Sequence, residues 1–309
     1  MDNDKYIQKI DQGLNYLKIH DYDRAINQCN DAIRLNPNGW DAYYVRGAAY
    51  GKKGDFKSQI NDYSETIRLY PTFIKAYSNR GLAYLNIGEF LLAIKDYDVA
   101  LGSIQNDPDL FYFRGYSYSM IGKLDLAIMD YNEAIRLNPK MDFYFFQRSL
   151  AYSLKGNVDY ALRDSTEAIL QNPNNPEYYY VRGMAYQEKG DSESALKDFS
   201  SAIDRNYNEV KVFIKKGTLL VEKKDFDQAI LNSNEALRKY PECVDALFIR
   251  GISYMNIGDI TQAKRDFRQA IKLNPKYEEY VNDLKKQLEA QGYDSNILSL
   301  DRNTFGYDR

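Results

Sequence analysis

Histidine occurs once in these 309 residues, tryptophan once and cysteine twice. With His20 alone, there is no second imidazole for a metal cluster and no Ser/His/Asp set. No Cys/His pair, phosphate loop or metal-ligand spacing appears either. Catalysis is therefore not expected, and neither is a cofactor. Cys29 and Cys243 lie far apart, which excludes a disulfide framework and favours a reducing compartment. Charge of one sign is also missing: 41 basic and 44 acidic residues leave a net charge of -3. That balance supplies no basic stripe for nucleic acid and no attraction to an anionic membrane. Long hydrophobic runs are absent, since the most apolar stretch, residues 82–94, is broken by Asn86 and Glu89. A membrane helix needs roughly 18 apolar residues. Residues 1–5 show no basic region followed by an apolar run, so no signal peptide is expected. Together these absences lead to the expectation of a soluble, cytoplasmic protein.

Proline is scarce, and its placement is informative. Counted in blocks of 34 from Tyr6, eight blocks end at Tyr277 without insertion or deletion. Six of the eight prolines fall at position 32 of a block (Pro37, Pro71, Pro139, Pro173, Pro241, Pro275), and Pro108 and Pro176 open the next one. Position 8 is glycine in seven blocks and Ser149 in the eighth. Positions 20 and 27 are alanine in seven blocks each, with Gln59 and Thr66 as the exceptions. Position 11 is tyrosine in seven, with Leu220 in the other.

The spacing of positions 4, 8 and 11 puts them on one face of a first helix, and positions 20, 24, 27 and 28 do the same on a second. Small residues at 8, 20 and 27 let the two helices approach; a larger side chain there would overpack the contact by about 1–3 kcal/mol. Position 15 is glycine in six blocks, suited to a left-handed residue closing the first helix. Position 16 is acidic in six (Asp21, Asp55, Glu89, Asp191, Asp225, Asp259), suited to capping the second. Proline at 32 ends the second helix.

This frame resembles the tetratricopeptide repeat (TPR) family: small residues at 8, 20 and 27, aromatics at 4, 11 and 24, and proline at 32. The resemblance covers residues 6–277, as repeats 6–39, 40–73, 74–107, 108–141, 142–175, 176–209, 210–243 and 244–277. Pentatricopeptide repeats, which read RNA, run one residue longer, and their register would slip. The resemblance implies an all-α, right-handed solenoid of eight helix-turn-helix repeats. Residues 1–5 are expected as an N-terminal extension, 278–291 as a capping helix with Tyr280, Val281, Leu284 and Leu288 inward, and 292–309 as a flexible tail.

Position 7 is arginine in six blocks, Arg46, Arg80, Arg114, Arg148, Arg182 and Arg250. In those same blocks position 23 is aspartate: Asp62, Asp96, Asp130, Asp164, Asp198 and Asp266. The two blocks without the arginine, with Gln12 and Lys216, also lack the aspartate, having Gln28 and Asn232. Co-absence predicts six ion pairs, each within one repeat. Exposed, such a pair is worth about 0–1 kcal/mol; buried, losing one partner costs about 3–5 kcal/mol.

In the TPR family, first-helix positions 2, 5, 6, 9, 12 and 13 line a concave face. Carried over, they give a candidate groove of Tyr44, Tyr112, Phe113, Tyr116, Phe143, Phe146, Tyr180, Met184 and Phe248. Aromatic anchors in a concavity commonly carry binding energy. The chaperone-type carboxylate clamp is absent: Lys211 and Lys215 match its last places, but Phe146, Leu150 and Val181 stand where its polar members belong. The asparagine ladder of glycosyltransferase-type arrays is represented by Asn79 alone. A nucleic-acid groove would need cations over the aromatics; here Asp41, Asp109, Glu177 and Asp245 mix with Lys75, Lys211 and Lys215. The expected function is a monomeric scaffold or adaptor holding a peptide segment of a partner protein. The alternative is a self-associating structural subunit. Phe305 and Tyr307 of the tail are further candidates to occupy the groove.

Overall fold

The structure, a computed structural model, describes residues 2–290; the expectations for the tail, Phe305 and Tyr307 included, lie outside them. Among the described residues there are seventeen α-helices and no strand. They form an all-α helical repeat fold, divided into two compact units at Gln171 and Asn172. The first unit holds α1 (Asp2–Lys18), α2 (Tyr22–Leu35), α3 (Trp40–Lys52), α4 (Phe56–Leu69) and α5 (Ile74–Asn86). It continues with α6 (Phe90–Ser103), α7 (Pro108–Met120), α8 (Leu124–Leu137), α9 (Asp142–Leu154) and α10 (Val158–Gln171). The second unit holds α11 (Pro176–Lys189), α12 (Ser192–Asp204), α13 (Val210–Glu222), α14 (Phe226–Lys239), α15 (Val244–Asn256), α16 (Ile260–Leu273) and α17 (Tyr277–Ala290). Because α1 starts at Asp2, residues 2–5 extend the first helix and form no separate segment.

Each pair of helices closes through the same turn. The residue at position 15 is left-handed in all eight blocks, including His20 (φ 64°) and Lys224 (φ 62°), which are not glycine. The next N–H then returns to the carbonyl at position 11, as in Asp55 N to Tyr50 O at 3.0 Å and Asp191 N to Tyr186 O at 2.9 Å. This is the six-to-one bond that satisfies an orphan carbonyl at a helix end. Asp21, Asp55, Asp191, Asp225 and Asp259 then accept from the backbone N–H three residues on. Glu89 makes no such bond, which corrects the expectation for that residue. Its carboxylate sits one methylene farther out than that of aspartate.

Position 24 fills the space that glycine leaves at position 8. Tyr63, Tyr97, Tyr131, Phe199 and Phe267 are wholly buried there. A Cβ built on Gly251 would stand 2.6 Å from Phe267 Cε1, and one on Gly183 2.8 Å from Phe199 Cε1. Where position 8 is Ser149, position 24 is the equally small Ser165, so block volume is traded within the pair. Burying each ring contributes about 1.5–3 kcal/mol. First helices also touch their successors within a unit: α1 with α3, α5 with α7, α7 with α9, and α13 with α15. In α17, Val281 is buried and Leu284 and Leu288 pack beside it. Tyr280 is 53% exposed, contrary to its expected inward position. It lies against Phe248 and Tyr277, with ring centroids 6.0 and 5.2 Å away.

Candidate partner-binding face

Two side-chain systems share the first helices, one polar and structural, the other aromatic. In the polar one, each of the six arginines grips the aspartate sixteen residues on through two donors. Arg46 Nε gives to Asp62 Oδ2 at 2.8 Å and Nη2 to Oδ1 at 2.7 Å. The same fork joins Arg80 to Asp96, Arg114 to Asp130, Arg148 to Asp164, Arg182 to Asp198 and Arg250 to Asp266. The aspartates are all buried. The Asp130 carboxylate holds the Arg114 guanidinium above its ordinary range, outweighing burial.

A third donor leaves the repeat. Nη1 of Arg46, Arg80, Arg114, Arg148 and Arg250 reaches Asn30, Ser64, Asp98, Asn132 and Asn234, each at position 25 of the preceding block. Five guanidiniums also lie between aromatics one turn either side; Arg46 is 5.5 Å from the Tyr43 ring and 6.0 Å from that of Tyr50. Arg46, Arg80, Arg114, Arg148 and Arg250 thus each tie two helices of their own repeat and one of the preceding repeat, and are satisfied without a ligand.

The aromatic system centres on Tyr112 of α7. Its ring lies 5.1 Å from Phe113, 6.4 Å from Tyr116, 5.3 Å from Phe143 and 5.5 Å from Tyr144. Phe113 in turn stacks on Tyr97 at 6.0 Å. Tyr144 was not among the expected site residues; its hydroxyl donates to Asp109 Oδ1 at 2.6 Å and tethers α9 to α7. Burial, the Tyr116 phenol and the Asp109 carboxylate push the Tyr112 hydroxyl well above the ordinary tyrosine range. Phe143 is 38% exposed and so is open to solvent. Phe146 is 3% exposed and belongs to the core. It is corrected from a partner-facing residue to a packing one, although its ring stands 6.0 Å from Phe143.

The remaining candidates sit apart from this cluster. Tyr44 packs on Tyr63 and Phe73 at 5.6 and 4.9 Å and accepts a hydrogen bond from Asn79. In the second unit, Tyr180 stacks on Tyr207 at 5.1 Å with Lys211 Nζ 5.2 Å from its ring, and Met184 is half-buried one turn on. Phe248 packs on Phe267, Tyr277 and Tyr280. On the first helices α5, α7 and α9, Leu82 (37% exposed), Met120 (50%) and Leu154 (70%) are also exposed. Met120 and Leu154 occupy position 13, which is Lys18, Lys52, Asn86, Glu188, Glu222 and Asn256 in the other blocks. That departure was the available signal for them. Among the described residues, no group of three acidic, histidine or cysteine side chains is placed to hold a metal, and no helix is long and apolar enough to cross a membrane.

Comparison with known proteins follows the same frame. Family models of the tetratricopeptide repeat match residues 10–72, 108–141, 166–197 and 244–277. No curated protein matches the chain. Among solved structures, that of MamA is 25% identical and superposes with a TM-score of 0.51 over 53% of this chain and 96% of its own. A tetratricopeptide repeat protein from Parabacteroides merdae ATCC 43184 is 17% identical, with a TM-score of 0.61 over 81% of this chain and 99% of its own. YrrB, described as a TPR protein with an unusual peptide-binding site, is 22% identical, with a TM-score of 0.54 over 61% of this chain and 97% of its own. With its turns, its small-residue contacts and four segments matched by models of that repeat, the chain belongs to the tetratricopeptide-repeat family.

Proposed function

We propose that this chain is a non-catalytic protein-interaction scaffold: a monomeric adaptor that holds a segment of a partner protein on the first-helix face of its repeats. The carrying observation is the set of apolar side chains exposed on the first helices α5, α7 and α9, Leu82, Met120, Phe143 and Leu154, together with the half-buried Tyr112. Several large apolar side chains exposed on the first helices of neighbouring repeats favour an interaction role. The six arginines do not compete for that role, because the aspartates occupy them. Affinity capture from the source lysate tests the reading. Met120→Glu with Leu154→Glu alters exposed positions and leaves the core intact, so circular dichroism should be unchanged while partner capture is lost. Undiminished capture by the folded double variant removes the groove from the account.

A second reading is favoured by one observation. Leu91, Leu92 and Val99 of α6, with Leu126 and Met129 of α8, are exposed on second helices. Self-association through that surface would raise the mass with concentration. Light scattering that stays at the 35.9 kDa of one chain excludes it.

A further inference from the structure

We propose that the second unit carries a hinge between α12 and α13, about which residues 210–290 turn as one body against α11 and α12. A repeat stack holds its shape only through contacts between neighbours. At this junction the polar contact, the proline and the short connector found at other junctions are all missing.

The polar contact comes first. Five arginines send Nη1 to position 25 of the preceding block. In block seven the arginine is replaced by Lys216 and its aspartate by Asn232. Among the described residues, Lys216 forms no ion pair and no hydrogen bond. Burial holds its ammonium below the ordinary lysine range, which Glu235 and Asp204 only partly offset. Asn232 instead donates Nδ2 to Phe213 O at 2.8 Å, a tie from α14 to α13 within the block. Ser200, at position 25 of block six, turns its hydroxyl back to Leu196 O at 2.8 Å. Its counterpart Ser64 accepts from Arg80 at 3.0 Å. The acceptor is present, and the donor that would cross from α13 to α12 is not.

The connector departs in the same place. Of the seven junctions between repeats, six carry a proline, and the one between blocks six and seven has Tyr207 at position 32 and Val210 at the opening. Proline would fix φ there. Residues 205–209 number five, where the other six junctions have four. Asn206 is left-handed, φ 62°, the one such residue outside position 15 among the described residues.

Both sides of the junction are locked. The Arg182–Asp198 fork joins α11 to α12. On the other side, a Cβ built on Gly217 would stand 3.2 Å from Ile249 Cγ2, so α15 presses into α13. Arg250 Nη1 holds Asn234 of α14 at 2.6 Å, and Val281 carries α17 on the Phe267 core. What crosses from α12 is Leu196, packed on Leu220, Ala229 and Ile249. Such apolar contact has no preferred direction and can slide. Lys223 also meets Glu193 at 3.5 Å, an exposed and weak pair. Movement here re-aims Lys211, Lys215 and Asp245 against α11, so the first-helix face is adjustable at this junction.

Double electron–electron resonance on the full chain makes the test. Nitroxides are carried on genetically encoded ketone side chains, which leaves Cys29 and Cys243 in place. They replace the exposed Lys197 of α12 and Lys286 of α17 in one protein, and Leu231 of α14 and Lys286 in another. Only the first pair spans the junction. Its distance distribution should be about twice as broad as that of the second. Lys216→Arg with Asn232→Asp rebuilds the fork and gives Ser200 its donor, and should narrow the first distribution to the width of the second. Equal widths in the otherwise unaltered chain overturn the hinge, whether or not the rebuilt variant folds. A first distribution that stays broad in a rebuilt variant of unchanged circular dichroism overturns the missing fork as its cause.

Discussion

Arg148 donates from Nε to Asp164 Oδ2 at 2.6 Å and from Nη2 to Oδ1 at 2.8 Å, while its Nη1 reaches Asn132 of the preceding repeat at 2.6 Å. Of the six equivalent pairs this is the most enclosed, with side-chain exposures of 10% and 2%. Desolvation of both charges opposes their attraction, so the pair fixes helix register more than it adds net stability. Asp164→Ala strands a buried guanidinium and should lower stability by about 3–5 kcal/mol. Arg148→Met with Asp164→Leu should recover most of that loss. Urea unfolding of the three proteins checks it; equal losses in the single and double variants would contradict the register argument.

Gly251→Ala is expected to cost about 1–3 kcal/mol, because its Cβ meets the buried Phe267 ring at 2.6 Å. Adding Phe267→Leu removes the clash and should restore part of the loss. A thermal melt of both variants reads the difference, and a harmless Gly251→Ala would show that the helix pair has slack.

Lys224 holds a left-handed backbone, φ 62°, where six blocks use glycine. The conformation costs an L-residue about 1–2 kcal/mol, and glycine's greater freedom in the unfolded chain returns part of that. Lys224→Gly should therefore stabilise the protein by about 0.5–1 kcal/mol. A lowered melting temperature would mean that the lysine side chain contributes more than its backbone strain.

Alkali should unfold the protein through its buried phenols. Burial pushes Tyr63 up to about 12, and Tyr97 and Tyr131 rise further. Unfolded tyrosine ionises near about pH 10. A raised folded value contributes stability in full below about pH 10 and loses it as pH climbs through the folded value. The urea midpoint should begin to decline above about pH 8.5, where the thiol of the buried Cys29 ionises in the unfolded chain, and fall steeply above about pH 10. A midpoint that rises there would contradict the burial of these hydroxyls.

The repeat frame was legible because small residues recur at fixed places, and the Arg–Asp pairs because Gln12 and Lys216 lose both members together. The third arginine contact was not, since its acceptor changes type among Asn30, Ser64, Asp98 and Asn132. The left-handed turns at His20 and Lys224 were hidden by their side chains. Phe146 could not be told from Tyr112 at the same position, because burial there depends on neighbouring helices and not on the residue itself. Tyr144 carried no signal of its own, because position 3 is alanine in Ala42, Ala76 and Ala246 but Gln8, Leu110, Tyr178 and Val212 in the other four blocks.

The groove is tested most directly by photo-crosslinking in the source cells, with a photoreactive phenylalanine analogue placed at Met120 on the first-helix face or at Met129 on a second helix. The account predicts adducts of discrete mass from Met120 and none from Met129. Adducts from Met129 alone, or equal yields from both, would contradict it.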